Sequence, residues 1–392
     1  MKKAVKKIVY SLLAVWNLLK FLIFDLKKIK NAEVVCFFPF YKTGGAEKVH
    51  LNIVKAISSK NVCVIFTVHS ATTNFYKEFT ENAECIEINP ILNKKNDLVN
   101  KWLMKSIYKN INQSANCKTV FGCNSIYFYK IISKISEKIS RNDLFHSFSE
   151  NDERETDLIY SAKYIDNRIV INDAAKNDII NFYIKNKIDA IYADKIKVIH
   201  NGIELPNSEF KTKDNPNIRI GFIGRWSAEK RPEVFLEIAR QIKSKYSFIS
   251  FVMAGTGMKS NLDLITNAGV EFLGEITNKE QLDELYAALN FIITPSVYEG
   301  FPMVIMEGMS HGVIPVSTNL EGIREHITSA FNGILIHETD ENKMVVAFCE
   351  SIEKLIDNSE ERNLLSKQCF EYAQKHFGIE KFNTSYQKIL LS

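Results

Sequence analysis

The sequence has no pair of cysteines two residues apart. Its seven cysteines, Cys36, Cys63, Cys85, Cys117, Cys123, Cys349 and Cys369, are scattered and odd in number. That excludes a C-x-x-C redox or zinc motif and argues against a disulfide framework, leaving free thiols suited to a reducing compartment. Long apolar runs are also missing. The stretch Ile8–Phe24 covers 17 residues and is broken by Asn17 and Lys20, short of the roughly 20 a spanning helix wants. No small-residue cleavage site follows it, which argues against a signal peptide. The pattern G-x-G-x-x-G is absent, so no nicotinamide site is indicated.

There is little excess charge, and it is unevenly placed. The whole chain carries +4, whereas residues 1–30 hold eight lysines and one aspartate, +7, which leaves 4 − 7 = −3 for the remainder. A slightly acidic body argues against a nucleic-acid partner.

What is present is a globular composition, 46% hydrophobic and 24% charged, over 392 residues. That length suits two domains. The first thirty residues, MKKAVKKIVYSLLAVWNLLKFLIFDLKKIK, stand apart. Lysines flank the apolar run, and Tyr10 and Trp16 suit a headgroup layer. Three readings stay open: a helix lying on the cytoplasmic leaflet, a helix packed on the protein body, and a span. The first gives peripheral membrane association through residues 1–30 and a cytoplasmic location on the inner face of the plasma membrane.

Residues 32–40 and 61–68 read as buried strands, separated by Gly44-Gly45 and by a helix with apolar positions Val49, Ile53, Ala56 and Ile57. Strand, glycine turn, helix, strand opens a doubly wound α/β domain. The glycine pair is either a plain tight turn or a close approach to an anion at the helix N-terminus. Further strands are expected at 83–88, 118–122, 143–148 and 167–171, and helices at 97–115, 126–139, 153–163 and 173–185. His146 falls at the end of a strand, where parallel sheets bind ligands, although a lone histidine is more often an ordinary satisfied polar group.

A second α/β series starts at 218–223. Gly224 opens a loop with Arg225, Lys230 and Arg231, and Pro232 suits the first helical turn. Cations at the carboxyl edge of a strand beside a helix N-terminus fit a polyanion, against the bland reading of a solvated loop. Gly255 and Gly257 end the next strand. The segment YEGFPMVIMEGMSHGVIPV then sets Glu299 and Glu307 at the rim of an almost wholly apolar stretch. Glu299 follows a strand, and Glu307 lies within a helix over 303–311. Backbone N–H groups at 301–304 open that helix, where sugar hydroxyls or phosphate oxygens can meet them. Carboxylates accept from hydroxyl pairs. A Glu307 merely exposed on the helix is the plain alternative, but its apolar neighbours call for a partner.

Five blocks together, TGGAEKV at 43–49, NGIE at 201–204, GRWSAEKR at 224–231, AGTG at 254–257 and the E-x7-E segment with its extension to 327, resemble the retaining glycosyltransferases of family 4. The resemblance covers roughly residues 32–390. It implies the GT-B fold: two doubly wound Rossmann-like α/β domains facing across a cleft, here with an extra N-terminal amphipathic helix. The expected boundaries are 1–30 for the anchor helix, 31–203 for the acceptor-side domain, 204–217 for a linker, 218–375 for the donor domain, and 376–392 for a helix returning to the first domain.

The resemblance further implies a UDP- or GDP-linked sugar as donor substrate, no required cofactor or metal, and a saccharide or lipid-linked saccharide acceptor in surface-glycan synthesis. Gly44 and Gly45 would face the donor diphosphate, and Arg225 and Lys230 would neutralise it. Glu307 would hold the ribose. Glu299, with backbone groups of Phe301, Pro302, Met303 and Val304, would hold the transferred sugar. The loops carrying Gly255, Gly257 and Ile276 would surround the base, and His146 would lie near the sugar. The absence of a D-x-D element after a strand is consistent with metal independence. His200 stands where the family frequently has proline. A sugar-nucleotide epimerase of similar fold and a non-catalytic nucleotide-sugar-binding subunit are the competing classes.

Overall fold

The computed structural model describes residues 15–92, 97–148, 152–207, 209–213 and 217–392. The chain divides into two compact units, residues 1–200 with 381–392, and residues 201–380. Residues 204–217, expected as linker, fall within the span of the second unit.

The first unit is built on β1 (Val34–Phe38), β2 (Val62–Phe66), β3 (Glu84–Glu87), β4 (Thr119–Cys123), β5 (Ser140–Phe145), β6 (Asn167–Val170) and β7 (Ile196–Val198). They form one parallel sheet in the order β3-β2-β1-β4-β5-β6-β7. Strands β1, β2 and β4 are buried at every position, as strands covered on both faces must be. The helix Gly45–Ile57 turns Val49, Ile53, Ala56 and Ile57 inward, as their spacing requires. The helix Asp173–Lys185 is capped by Asn172, whose Oδ1 accepts from the Ala175 N–H at 2.8 Å.

Two expected elements shift. The strand expected at 143–148 runs over 140–145, because the polar run Ser140-Arg141-Asn142-Asp143 is strand. Its side chains are satisfied by the next strand and the turn before it: Arg141 pairs with Asp166 at 3.2 Å, the Asn167 amide donates to Asn142 at 2.8 Å, and Asp143 pairs with Arg168 at 2.7 Å. The helix expected over 126–139 ends at Ile131 with a 3-10 turn to Lys134, which frees residues 135–139 to lead into β5.

Residues 15–20 are helical and continue through a π-helical turn, Phe21–Asp25, into Leu26–Asn31. Lys2, Lys3, Lys6, Lys7 and Tyr10 lie outside the described residues. Phe21 and Ile29 are fully buried in the first unit, Phe21 edge-on to Trp102 at 6.5 Å, and Lys28 pairs with Glu84 at 3.1 Å. Val15, Trp16, Leu19, Leu22, Ile23 and Phe24 remain 41–64% exposed. Among the described residues no helix is long and apolar enough to cross a membrane.

The second unit contains β8 (Arg219–Ile223), β9 (Ser250–Ala254), β10 (Glu271–Phe272), β11 (Phe291–Thr294), β12 (Ile314–Thr318) and β13 (Ile334–Ile336), parallel throughout in the order β10-β9-β8-β11-β12-β13. This is the doubly wound Rossmann order, with the chain reversing direction of growth between β8 and β11. Strand β13, Ile334-Leu335-Ile336, is an apolar run that sequence reasoning passed over. It is three residues long and only partly buried, so no alternation marks it.

Candidate functional site

In the second unit, β8 is flanked by β9 and β11, so the loops at their carboxyl ends lie side by side. They are also bonded together. The Gly224 N–H donates to the Ala254 carbonyl at 3.0 Å, the Trp226 N–H to that of Thr256 at 2.9 Å, and the Val297 N–H to that of Glu229 at 2.8 Å. Gly255, at φ +138°, packs so closely that a Cβ there would come within 1.8 Å of the Gly224 carbonyl oxygen. The sequence blocks at 224–231, 254–257 and 296–299 therefore form one surface. Its Gly255 N–H donates to the Gly274 carbonyl at 2.9 Å, which ties in the loop before Ile276. Ile276 itself is half-buried against the core around Tyr286, Leu289 and Ile292.

Lys230 and Glu299 form an ion pair across this surface. The Ser296 hydroxyl donates to the same Glu299 oxygen at 2.8 Å. The Glu299 side chain is 10% exposed, so its charge needs these partners. Arg225 is the open cation of the loop, 56% exposed and 3.3 Å from Glu229. Burial alone would raise the Glu229 carboxyl. Hydrogen bonds to its ionised form and the nearby cations outweigh that and hold it below its ordinary value.

Glu307 lies in the second turn of the helix Met303–Ser310 and is half-buried. The Tyr286 hydroxyl donates to its Oε2 at 2.8 Å. Burial first, and the Glu307 carboxylate second, push the Tyr286 phenol well up, so it stays protonated and donates. Lys213 holds the turn behind Tyr286, its ammonium donating to the Tyr286 carbonyl at 3.2 Å and to that of Leu289. Phe301 is buried, its ring 4.5 Å from His326 and 5.4 Å from Phe377, which fixes the entry to the helix. Pro302 occupies the N-cap and has no N–H. The backbone donors expected at 301–304 thus narrow to Phe301, Met303 and Val304.

In the first unit, Gly44 is the N-cap of the helix Gly45–Ile57 in extended backbone. His146 lies one residue beyond β5, and its Nε2 is 3.1 Å from the Nε2 of His50. His50 is fully buried and stacks on Phe38 at 4.4 Å and 2°. Burial, with Arg154 nearby, lowers His146 to about 4, and burial first and His146 second lower His50 well below its ordinary value, so both are neutral at ordinary pH. The ligating atoms of His50, Cys123 and His146 lie within 4.8 Å of one another. Burial holds the Cys123 thiol far above its usual range, so it stands un-ionised beside the two rings.

Sequence reasoning missed Tyr286, Ser296 and His50. Tyr286 sits in QLDELYAALN, where it reads as one more core position of an amphipathic helix. His50 lies beside the apolar stripe of its helix, and nothing in the sequence pairs it with a residue 96 positions away.

Residues 217–358 match the family of glycosyl transferases group 1. An uncharacterised 41.2 kDa protein of the cps region of Klebsiella pneumoniae is 26% identical over 69% of this chain and 76% of its own length. A UDP-Gal:alpha-D-GlcNAc-diphosphoundecaprenol alpha-1,3-galactosyltransferase of Escherichia coli is 26% identical over 50% of this chain and 54% of that protein. In fold, the chain is similar to Anabaena Alr3699/HepE in complex with UDP, with a TM-score of 0.70 at 18% identity, covering 92% of this chain and 99% of the other. Matches to other curated glycosyltransferases span about half of those proteins, 57% and 58% in two from Methanocaldococcus jannaschii. Residues 217–358 thus carry a glycosyl transferases group 1 domain, and the fold of the chain, two Rossmann-ordered units, is similar to that of the UDP-bound HepE.

Proposed function

We propose that the chain is a retaining, metal-independent glycosyltransferase that moves a sugar from a UDP- or GDP-sugar to a hydroxyl of a saccharide or lipid-linked saccharide. The observation that carries this reading is the pairing pattern of the two glutamates. Glu299 is held by Lys230 and Ser296 on loops that hydrogen bonds tie together, and Glu307 is held by Tyr286 on the helix that follows. Arg225 and Lys230 take the charge of the departing diphosphate, and preorganised charges of this kind usually do more for such a reaction than any other group. When the diphosphate engages Lys230, Glu299 turns its carboxylate to the sugar hydroxyls. Glu307 accepts from the ribose hydroxyls, and the N–H groups of Met303 and Val304 meet donor oxygens. The acceptor hydroxyl attacks from the face that the phosphate leaves, and a phosphate oxygen takes its proton, which keeps the anomeric configuration. The E. coli relative's lipid-diphosphate acceptor supports an acceptor of that class here.

The same reading places the chain on the anionic inner face of the plasma membrane. The exposed face Val15, Trp16, Leu19, Leu22, Ile23 and Phe24 supports this. Lys20, Lys27 and Lys30 are exposed on the same helix, and Leu98 and Trp102, on the helix Asp97–Gln113 that packs on it, are 76% and 40% exposed. Apolar side chains ringed by lysines suit an interfacial layer.

Calorimetry with a panel of nucleotide sugars, with Glu307→Ala and Arg225→Ala alongside, tests the donor reading. Selection of one nucleotide, lost in both variants, is expected, and NMR of the product should show the donor's anomeric configuration. Binding unchanged by both substitutions would overturn it. Co-sedimentation of the full chain with phosphatidylglycerol vesicles, lost in Trp16→Glu/Ile23→Glu, is the corresponding check on the surface.

A further inference from the structure

His146 and His50 face each other through their Nε2 atoms at 3.1 Å. Both rings are neutral at ordinary pH. A neutral imidazole carries one N–H, so a hydrogen bond between two Nε2 atoms needs one ring to donate and the other to accept. The rest of the His50 environment decides which. Its Nδ1 is buried and has no hydrogen-bond partner among the described residues. Were His50 protonated at Nδ1, a buried N–H would be orphaned, and such donors are rarer in folded proteins than under-used acceptors. Protonation at Nε2 leaves only a bare lone pair at Nδ1 and supplies the donor for the contact. His50 therefore donates and His146 accepts. The His50 ring has little freedom to flip, since it is fully buried and stacked on Phe38 at the end of β1.

We infer that His50 is a positioning residue that locks His146 in the neutral Nδ1–H tautomer, so that His146 presents a hydrogen-bond donor to a sugar hydroxyl at the carboxyl end of β5 and has no lone pair left with which to act as a base. This rests on the proposed glycosyl transfer for its meaning, although the tautomer itself does not depend on turnover. With the His146 lone pair occupied, the acceptor's proton goes to the departing phosphate oxygen and not to His146. A sugar hydroxyl that accepts from the Nδ1–H is the group recognised.

The test is 15N-detected histidine NMR on the full chain, with steady-state kinetics beside it. In the wild type, His146 should show a protonated Nδ1 and a pyridine-like Nε2, and His50 the reverse. His50→Leu keeps an apolar filler but removes the donor. It should shift His146 toward the Nε2–H form and lower kcat about tenfold with donor KM little changed. His50→Gln, whose amide nitrogen falls near the lost Nε2, should restore both. An Nε2–H His146 in the wild type overturns the inference, and so does a His50→Leu protein with unchanged tautomer and kcat. Stoichiometric zinc uptake by chelator-treated protein, lost in Cys123→Ser, would likewise overturn it by making the trio a metal site. If no donor supports transfer but the tautomers are as stated, the enzymatic reading fails while the lock stands. If transfer is seen and the tautomers are reversed, only the lock fails.

Discussion

The ammonium of Lys230 is paired with the Glu299 carboxylate across a gap of 69 residues, and the Ser296 hydroxyl donates to the same oxygen. Two groups expected to serve different parts of one donor are thus held by each other. Glu299→Gln keeps the shape and frees Lys230. It should bind nucleoside diphosphate within a few-fold of wild type yet lose transfer by about 100-fold, the scale of removing one preorganised stabilising group. Lys230→Ala should weaken diphosphate binding and transfer together. Calorimetry against single-turnover rates separates the two.

Tyr286 and Glu307 should behave as one unit. Tyr286→Phe leaves the buried ring in place and removes a hydrogen bond to a carboxylate, costing roughly 1.5–3 kcal/mol of donor binding if the bond orients Glu307. In a double-mutant cycle with Glu307→Ala the losses should be far from additive, since the phenol acts only through that carboxylate. Additive losses would show that Tyr286 works elsewhere.

Gly255→Ala should be among the most damaging single-methyl changes in the second unit. The new Cβ would meet the Gly224 carbonyl at 1.8 Å, a backbone atom that cannot swing aside, at a φ of +138°. A loss of a few kcal/mol in stability is expected, with donor binding lost because the 224–231 loop must shift. Thermal unfolding with and without nucleotide measures both.

Arg168→Met addresses the fold alone. The Arg168 and Asp143 side chains are 1% and 0% exposed, and Tyr129 also donates to Asp143. Removing one partner strands a buried carboxylate, a change that typically costs about 3–5 kcal/mol. Burial already pushes Asp143 upward while Arg168 opposes it, so the variant should take up a proton at higher pH than wild type.

The histidine pair sets a pH dependence of stability. His146 is lowered to about 4, and His50 is lowered as well. The folded state therefore binds fewer protons than the unfolded chain below about 6.5. Stability should be full above that pH and fall as pH drops from about 6.5 toward 4. Arg154 also lowers His146, His146 in turn lowers His50, and the un-ionised Cys123 thiol lies within 4.8 Å of both rings. Denaturant titrations between pH 7 and 4, compared with His50→Leu, should show the slope reduced in the variant.

Much of this architecture is written locally. β1, β2 and β4 are apolar runs bounded by turn residues, and Gly44-Gly45 marks the helix start, so the alternation of strands and helices could be read directly. The register of β5 could not. Its residues 140–143 are polar and find their partners around β6, a relation with no local signal. The same divide separates the candidate site. Glu299, Glu307, Arg225 and Lys230 stand in short blocks with diagnostic spacing, whereas Tyr286 and His50 gain their roles only when distant segments meet. Pro302 was legible but misread, since its missing N–H follows from the residue type alone.

Residues 381–392 pack in the first unit, Tyr386 fully buried with its ring 6.2 Å from that of Phe121, and the Gln387 amide donating to the Ala56 carbonyl at 2.8 Å. During vectorial synthesis these residues emerge only after all of 201–380. The unit that is translated first is thus the one that is completed last, and the second unit matures while Phe121 has Phe38 beside it but still lacks Tyr386.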